Sequence, residues 1–113
     1  MKASSRGRTG EEAAARYLEE QGWRVLQRNW RGGAGEIDIV AQEGDCVVFV
    51  EVKAHSDPGY LEWSVGPDKR RRIVSASRRW LMAHPESDSS YVRYDVVLVR
   101  EGSVDHIRDA FGD

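Results

Sequence analysis

The segment Cys46-Val-Val-Phe-Val-Glu-Val-Lys53 constrains this chain most, because it is strand-forming and, apart from Glu51 and Lys53 near its end, apolar on both faces. A strand with no polar face has to be covered above and below, so it reads as the central strand of a sheet between two layers. Just before it, Glu36-Ile-Asp-Ile-Val-Ala41 alternates. That predicts a second strand with residues 36, 38 and 40 on one face and 37, 39 and 41 on the other. Glu43-Gly-Asp45 is the hairpin turn between them.

The remaining elements follow from periodicity and punctuation. Thr9-Gly-Glu-Glu12 has the form of a capping box, opening a helix that runs to about Glu20, buries Ala14, Ala15 and Leu18, and stops at Gly22. Residues 23–30 read as an edge strand, and Gly32, Gly33 and Gly35 as a turn. Residues 54–66 lack periodicity and read as a loop or flap. Pro67-Asp68 then opens a helix to about His84, closed by Pro85, with Ile73, Ala76, Ser77, Trp80 and Leu81 on its apolar face. Arg71, Arg72, Arg78 and Arg79 project away from that face, whereas Lys69 lies on the inward stripe. A polar loop (86–90), a strand (91–100) and a short last strand (104–108) complete the order αβββαββ. Hairpins plus one helical crossover imply an α/β fold with a mixed sheet and a helix on each face. We expect one domain, 1–113, with residues 1–8 as a flexible arm.

Composition excludes several classes of function. The chain has 113 residues, of which 40% are hydrophobic and 32% charged, as expected for one globular domain. No apolar run approaches the roughly 18 residues of a membrane helix, and the basic start has no apolar stretch behind it, so we expect a cytoplasmic protein. A single cysteine and three scattered histidines (55, 84, 106) give neither a disulfide nor zinc-ligand spacing. Any metal would be a hard, carboxylate-bound one. The net charge of −2 conceals a segregation: residues 66–80 carry six bases against Asp68 alone, residues 1–35 seven bases against four acids, and the last 33 residues three Arg against seven acids. Basic segments gathered on one side of a small domain suit a polyanion.

Four charged positions interrupt apolar pattern. Asp38 stands among Ile37, Ile39 and Val40, and Glu51 and Lys53 share the face of Val47 and Phe49. Glu11 lies on the buried stripe of the first helix, while Glu12 has the capping duty. A buried unpaired charge costs several kcal/mol, so it persists only with a partner or a purpose. For any two of these residues a surface ion pair, Glu51 with Lys53, is the simpler explanation. The four together favour a site in which Asp38 and Glu51 on adjacent strands bind Mg²⁺ and Lys53 assists the attacking water or the developing phosphate charge.

At this point the residues resemble a known arrangement. GEIDIV (35–40) followed by VFVEVK (48–53) looks like the core of the PD-(D/E)xK nuclease superfamily, the restriction-endonuclease-like fold, with Ile37 where the superfamily pattern has Pro. A helix Glu, a strand Asp and then E-x-K is similar to the archaeal-type Holliday junction resolvases. Over nearly its whole length the chain resembles the YraN-like family of small bacterial proteins. The pieces that carry this likeness are Gly10-Glu11, Ala14, Tyr17-Leu18, Arg28-Asn29, GEIDIVA, VFVEVK, Val65 with Lys69 and Arg72, Arg93-Tyr-Asp-Val-Val97, His106-Ile107 and Ala110-Phe111. The resemblance implies metal ligation by Asp38, Glu51 and the backbone carbonyl of Val52, with Glu11 as a further acidic residue, Lys53 as the catalytic lysine and Lys69 as a polar helix residue near the site.

The expectation is therefore a Mg²⁺- or Mn²⁺-dependent endonuclease acting on DNA, on branched or structured DNA in particular. Lys69, Arg71, Arg72, Arg78 and Arg79 and the arm residues Arg6 and Arg8 would hold the phosphate backbone. A role on symmetric junctions would call for a homodimer. Two other readings compete: a non-catalytic nucleic-acid-binding or adaptor protein that retains the fold, and a protein-interaction module anchored by tryptophans. Among the latter, Trp80 reads as core and Trp63 as the one candidate for an intermolecular contact.

Overall fold

A computed structural model describes residues 3–33, 35–55, 66–87 and 91–112, with side chains described from Gly10 onward. The element order is α1 (Ala3–Glu20), β1 (Arg24–Gly32), β2 (Gly35–Glu43), β3 (Cys46–Ala54), α2 (Pro67–Ala83), a 3-10 turn (Pro85–Ser87), β4 (Tyr91–Arg100) and β5 (Ser103–Phe111). The strands form one five-stranded sheet in sequence order. All neighbours are antiparallel except β3 and β4, which run parallel because α2 carries the chain back between them. The chain is a mixed α/β fold with a helix on each face of the sheet, as the strand pattern predicts.

The doubly apolar β3 is the centre of that sandwich. Val47 and Phe49 face α2 and pack with Ile73, Ala76, Trp80, Tyr94 and Val96, while Val48 and Val50 face α1 and pack with Ala14, Ala15, Leu18 and Val97. Trp80 is core, as expected, and its indole N–H donates to Gln27 Oε1 at 2.9 Å. Trp23 is buried and Trp30 packs half-buried against the α2-side core, so neither is an exposed anchor. Trp63 and most of the expected flap lie outside the described residues.

Three expectations need correction. Helix α1 begins at Ala3, so Thr9 lies within the helix rather than capping it. Gly10 has a packing reason instead: a Cβ there would come within 3.2 Å of Ala54 Cβ, so the glycine lets α1 approach β3. The last strand continues past Arg108 to Phe111, because Asp109 adopts φ 53° and its N–H donates to Asp95 Oδ1, a bulge that lets Phe111 reach Tyr94. Finally, the alternation in β2 breaks at Asp38. Ile39 and Ala41 pack on the α1 side as expected, but Ile37 packs with Val40 on the α2 side.

Candidate functional site

That break builds the site. β2 pairs with β3 from Glu43 back to Ile39 and there the ladder ends, one residue before Asp38. Beyond this point the strands separate, and the Asp38 side chain turns into the gap, where Oδ2 accepts the Val52 N–H at 2.8 Å. In an extended strand the N–H and C=O of one residue point the same way, so the Val52 carbonyl also faces the gap. The fork presents a carboxylate and a backbone carbonyl side by side.

Glu51 completes the fork from β3. It shares the face of Val47 and Phe49, is 7% exposed, and lies close enough to hydrogen-bond the Asp38 carboxyl. Burial first, then the adjacent Glu51 charge, push Asp38 up to about 8, against the Val52 amide that favours its charged form. Glu11 approaches from α1. Burial pushes its carboxyl up, opposed by a hydrogen bond from Asn29 and the charge of Arg28, and Oε1 is buried with no hydrogen-bond partner. Asn29 stands at φ 54° in β1. Glu11 is within electrostatic reach of Asp38 and Glu51. Among the described residues, however, no three His, Cys, Asp or Glu side chains gather tightly enough to hold a metal together.

The cations divide differently from the sequence reading. Glu51 pairs with Lys69 of α2, Nζ to Oε2 at 2.5 Å, and not with Lys53. Burial alone would lower the Lys69 ammonium, but the Glu51 hydrogen bond and the charges of Glu51 and Asp38 outweigh it and push it up. Lys53 sits half-buried two residues beyond Glu51 on the same strand face. A cleft of about 500 Å³ opens over the fork, lined by Arg31, Gly33, Gly35, Glu36, Asp38, Glu51, Lys69, Arg72 and Ile73. Lys53 and Glu11 are not among its lining residues.

The glycine turn and α2 form the cleft's wall. A Cβ on Gly35 would come within 2.2 Å of the Arg72 carbonyl oxygen, and one on Gly33, at φ 61°, within 2.6 Å of Arg79 Nε, so only glycine lets the hairpin sit this close. Arg72 turns to the cleft, whereas Arg71, Arg78 and Arg79 line a second groove on the outer side of α2 together with Arg70 and Met82. Arg71 also pairs with Asp68. Arg31, in the cleft, pairs with Glu36 at 3.7 Å. Arg31 escapes a sequence reading because its place in the cleft depends on the hairpin lying along α2. The side chains of Arg6 and Arg8 lie outside the described residues.

A second polar cluster sits on the α1 side. Asp95, fully buried, accepts from Arg93 at 2.9 and 3.1 Å and from the Asp109 N–H at 2.9 Å, and it bonds His106 Nε2 at 2.7 Å. His106 Nδ1 is 3.0 Å from the Tyr17 hydroxyl, and its ring meets Trp23 edge-on. Arg93 and Arg108 both lie over Trp23 and both pair with Glu43. Burial would raise Asp95, but the bonds from His106, Arg93 and Asp109 outweigh it and hold it below the usual carboxylate range. Each polar group is satisfied within the cluster, which ties α1, β4 and β5 together.

Fold and fork together define a small mixed α/β domain with a carboxylate pair at a strand bifurcation and arginines along the flanking helix. The chain belongs to the uncharacterised protein family UPF0102, whose family model matches residues 10–99. It is 46% identical over 114 residues to a UPF0102 protein of Myxococcus xanthus, covering 93% of this chain and 87% of the relative. To one of Frankia casuarinae it is 47% identical over 113 residues, covering 93% and 94%. A third, from Rhodopseudomonas palustris, is 42% identical over 106 residues, covering 93% and 82%. Among the described residues no helix is long and apolar enough to cross a membrane.

Proposed function

We propose that this protein is a Mg²⁺- or Mn²⁺-dependent endonuclease of the restriction-endonuclease-like fold that hydrolyses DNA phosphodiester bonds, with branched or structured DNA as its substrate. The observation that carries this reading is the juxtaposition of Asp38 and Glu51 where β2 leaves β3, beside the gap-facing Val52 carbonyl. The donor set is all oxygen, two carboxylates and a carbonyl, which suits a hard cation that keeps several of its waters. The buried, unpartnered Glu11 Oε1 fits a water of such an ion's outer shell.

Asp38, Glu51 and the Val52 carbonyl would hold the metal, with Glu11 orienting its surroundings. The ion's contribution is Lewis acidity and a more acidic water. The chain supplies the rest. Lys53, on the strand face of Glu51, is placed to take a proton from the attacking water or to offset charge on the phosphate. Lys69 and Arg72 at the cleft, and Arg71, Arg78 and Arg79 along the adjoining groove, hold flanking phosphates without reading bases.

The Lys69–Glu51 ion pair favours a second reading, a nucleic-acid-binding or adaptor protein whose site no longer cuts, since an ammonium already neutralises one of the two acids. One experiment separates the two: a metal titration of cleavage on branched, flapped and single-stranded DNA. Nuclease function requires metal-dependent cutting by wild type that Lys53→Ala and Asp38→Asn abolish. Equal activity in the variants, or none in wild type, contradicts it.

A further inference from the structure

The buried acid of the fork is already occupied. Glu51 has 8% of its side chain exposed and takes Lys69 Nζ at 2.5 Å, while Lys69 itself is about half exposed, at 47%. The lysine that neutralises Glu51 therefore comes from the first turn of α2 and not from its own strand. A carboxylate this buried costs several kcal/mol without a counter-charge, and a second acid, Asp38, lies against it. The protein needs a cation here, and Lys69 is the one it carries.

We propose that Lys69 is a built-in counter-ion: it holds Glu51 in the metal-free protein, gives that carboxylate up when a divalent cation binds, and then turns its ammonium into the cleft toward substrate phosphate. This rests on the metal reading given above and adds a positioning role that the reading alone does not require. Three features support it. The Lys69 side chain is an unbranched, flexible one and about half exposed, so release costs little, unlike release of a forked, bidentate arginine. Lys69 and Arg72, one turn apart on α2, both line the cleft that contains Asp38 and Glu51, so a released ammonium already lies beside a second cation. Lys53 is not among the cleft-lining residues, so among the described residues Lys69 is the lysine that faces both acid and cleft.

Two consequences follow from competition for one carboxylate. Lys69 must weaken metal binding to the free protein, and any phosphate that draws Lys69 away must strengthen it, just as bound metal must strengthen the binding of that phosphate by the same factor. Metal affinity would then rise where DNA is present.

The test uses the full chain and Mn²⁺ alone. Calorimetry on wild type, Lys69→Met and Lys69→Arg should give Lys69→Met a dissociation constant lower by about tenfold, with Lys69→Arg binding no more tightly than wild type. In wild type, acylation of Lys69 by an amine-reactive ester, followed by peptide mass mapping against Lys2 as reference, should speed up severalfold when Mn²⁺ is added. If Lys69→Met binds Mn²⁺ no more tightly than wild type while Glu51→Gln abolishes binding, the metal site stands and the counter-ion role falls. If none of the three proteins takes up Mn²⁺, the metal reading falls and the proposal with it. Should Lys69→Met fail to fold, the labelling of wild type decides, and a Lys69 rate unchanged by Mn²⁺ overturns the proposal.

Discussion

Asp38 occupies the place of a backbone carbonyl: its Oδ2 accepts the Val52 amide at 2.8 Å, one residue past the end of the β2–β3 ladder. The side chain that opens the sheet is thus the same side chain that furnishes the first oxygen of the fork. Architecture and chemistry are joined in one residue, so its substitutions separate only where they keep an acceptor. Asparagine retains an oxygen for the Val52 N–H and removes the charge, which makes Asp38→Asn the informative variant.

Without metal, stability should fall as pH rises from about 4 to about 8. Asp38 in the folded chain holds its proton up to about 8, whereas the unfolded carboxyl releases it near 3.8. Between those values the native state binds more protons than the unfolded state, so each pH unit favours unfolding, by up to ~1.4 kcal/mol for one fully coupled proton. Urea unfolding at several pH values in a chelating buffer measures this slope. Asp38→Asn should flatten it.

The Asp95 cluster has the opposite sign. Its carboxyl is held below the usual range, so its contribution is present at neutral pH and is lost as pH falls below about 4. Asp95→Ala leaves Arg93, His106 and the Asp109 amide without their buried acceptor and should cost roughly 3–5 kcal/mol. Thermal and denaturant unfolding at pH 7 check the magnitude.

The layered fold was legible because β3 is apolar on both faces and α2 has a clear 3.6-residue stripe. The identity of the acids was legible too, since charge inside Ile-Asp-Ile and Val-Glu-Val contradicts the pattern around it. What could not be read was pairing across the structure. Glu51 and Lys53 share a strand face, and sequence alone offers them to each other, yet Lys69 takes the carboxylate because α2 crosses over the fork. Likewise the break at Asp38 is invisible in an unbroken alternation. Asp95 lies inside a strand that reads as ordinary core, and only the left-handed turn at Asp109 brings its amide back to it.

Gly35→Ala tests the close packing of hairpin on helix. The new methyl would meet the Arg72 carbonyl oxygen, so the hairpin must move away from α2, at a cost of about 1–3 kcal/mol. Gly22→Ala, where a Cβ meets nothing but φ is 91°, bears only the backbone strain of a helix end and serves as the comparison in the same unfolding assay.

Replacing Arg78 and Arg79 together with Gln should weaken DNA binding about equally for all sequences. The slope of log affinity against log salt should become shallower by roughly 2, one for each lost phosphate contact. Fluorescence anisotropy over a salt series provides the measurement, and an unchanged slope removes the outer groove of α2 from the interface.

The most direct measurement is Mn²⁺ binding to the intact chain, followed by calorimetry and by the paramagnetic resonance signal of the free ion, in wild type, Asp38→Asn and Glu51→Gln. The expected result is one saturable site per chain in wild type that both substitutions abolish while the proteins remain folded. A wild-type chain that takes up no Mn²⁺, or variants that bind it as wild type does, would contradict the assignment of the Asp38–Glu51 fork as a divalent-metal centre.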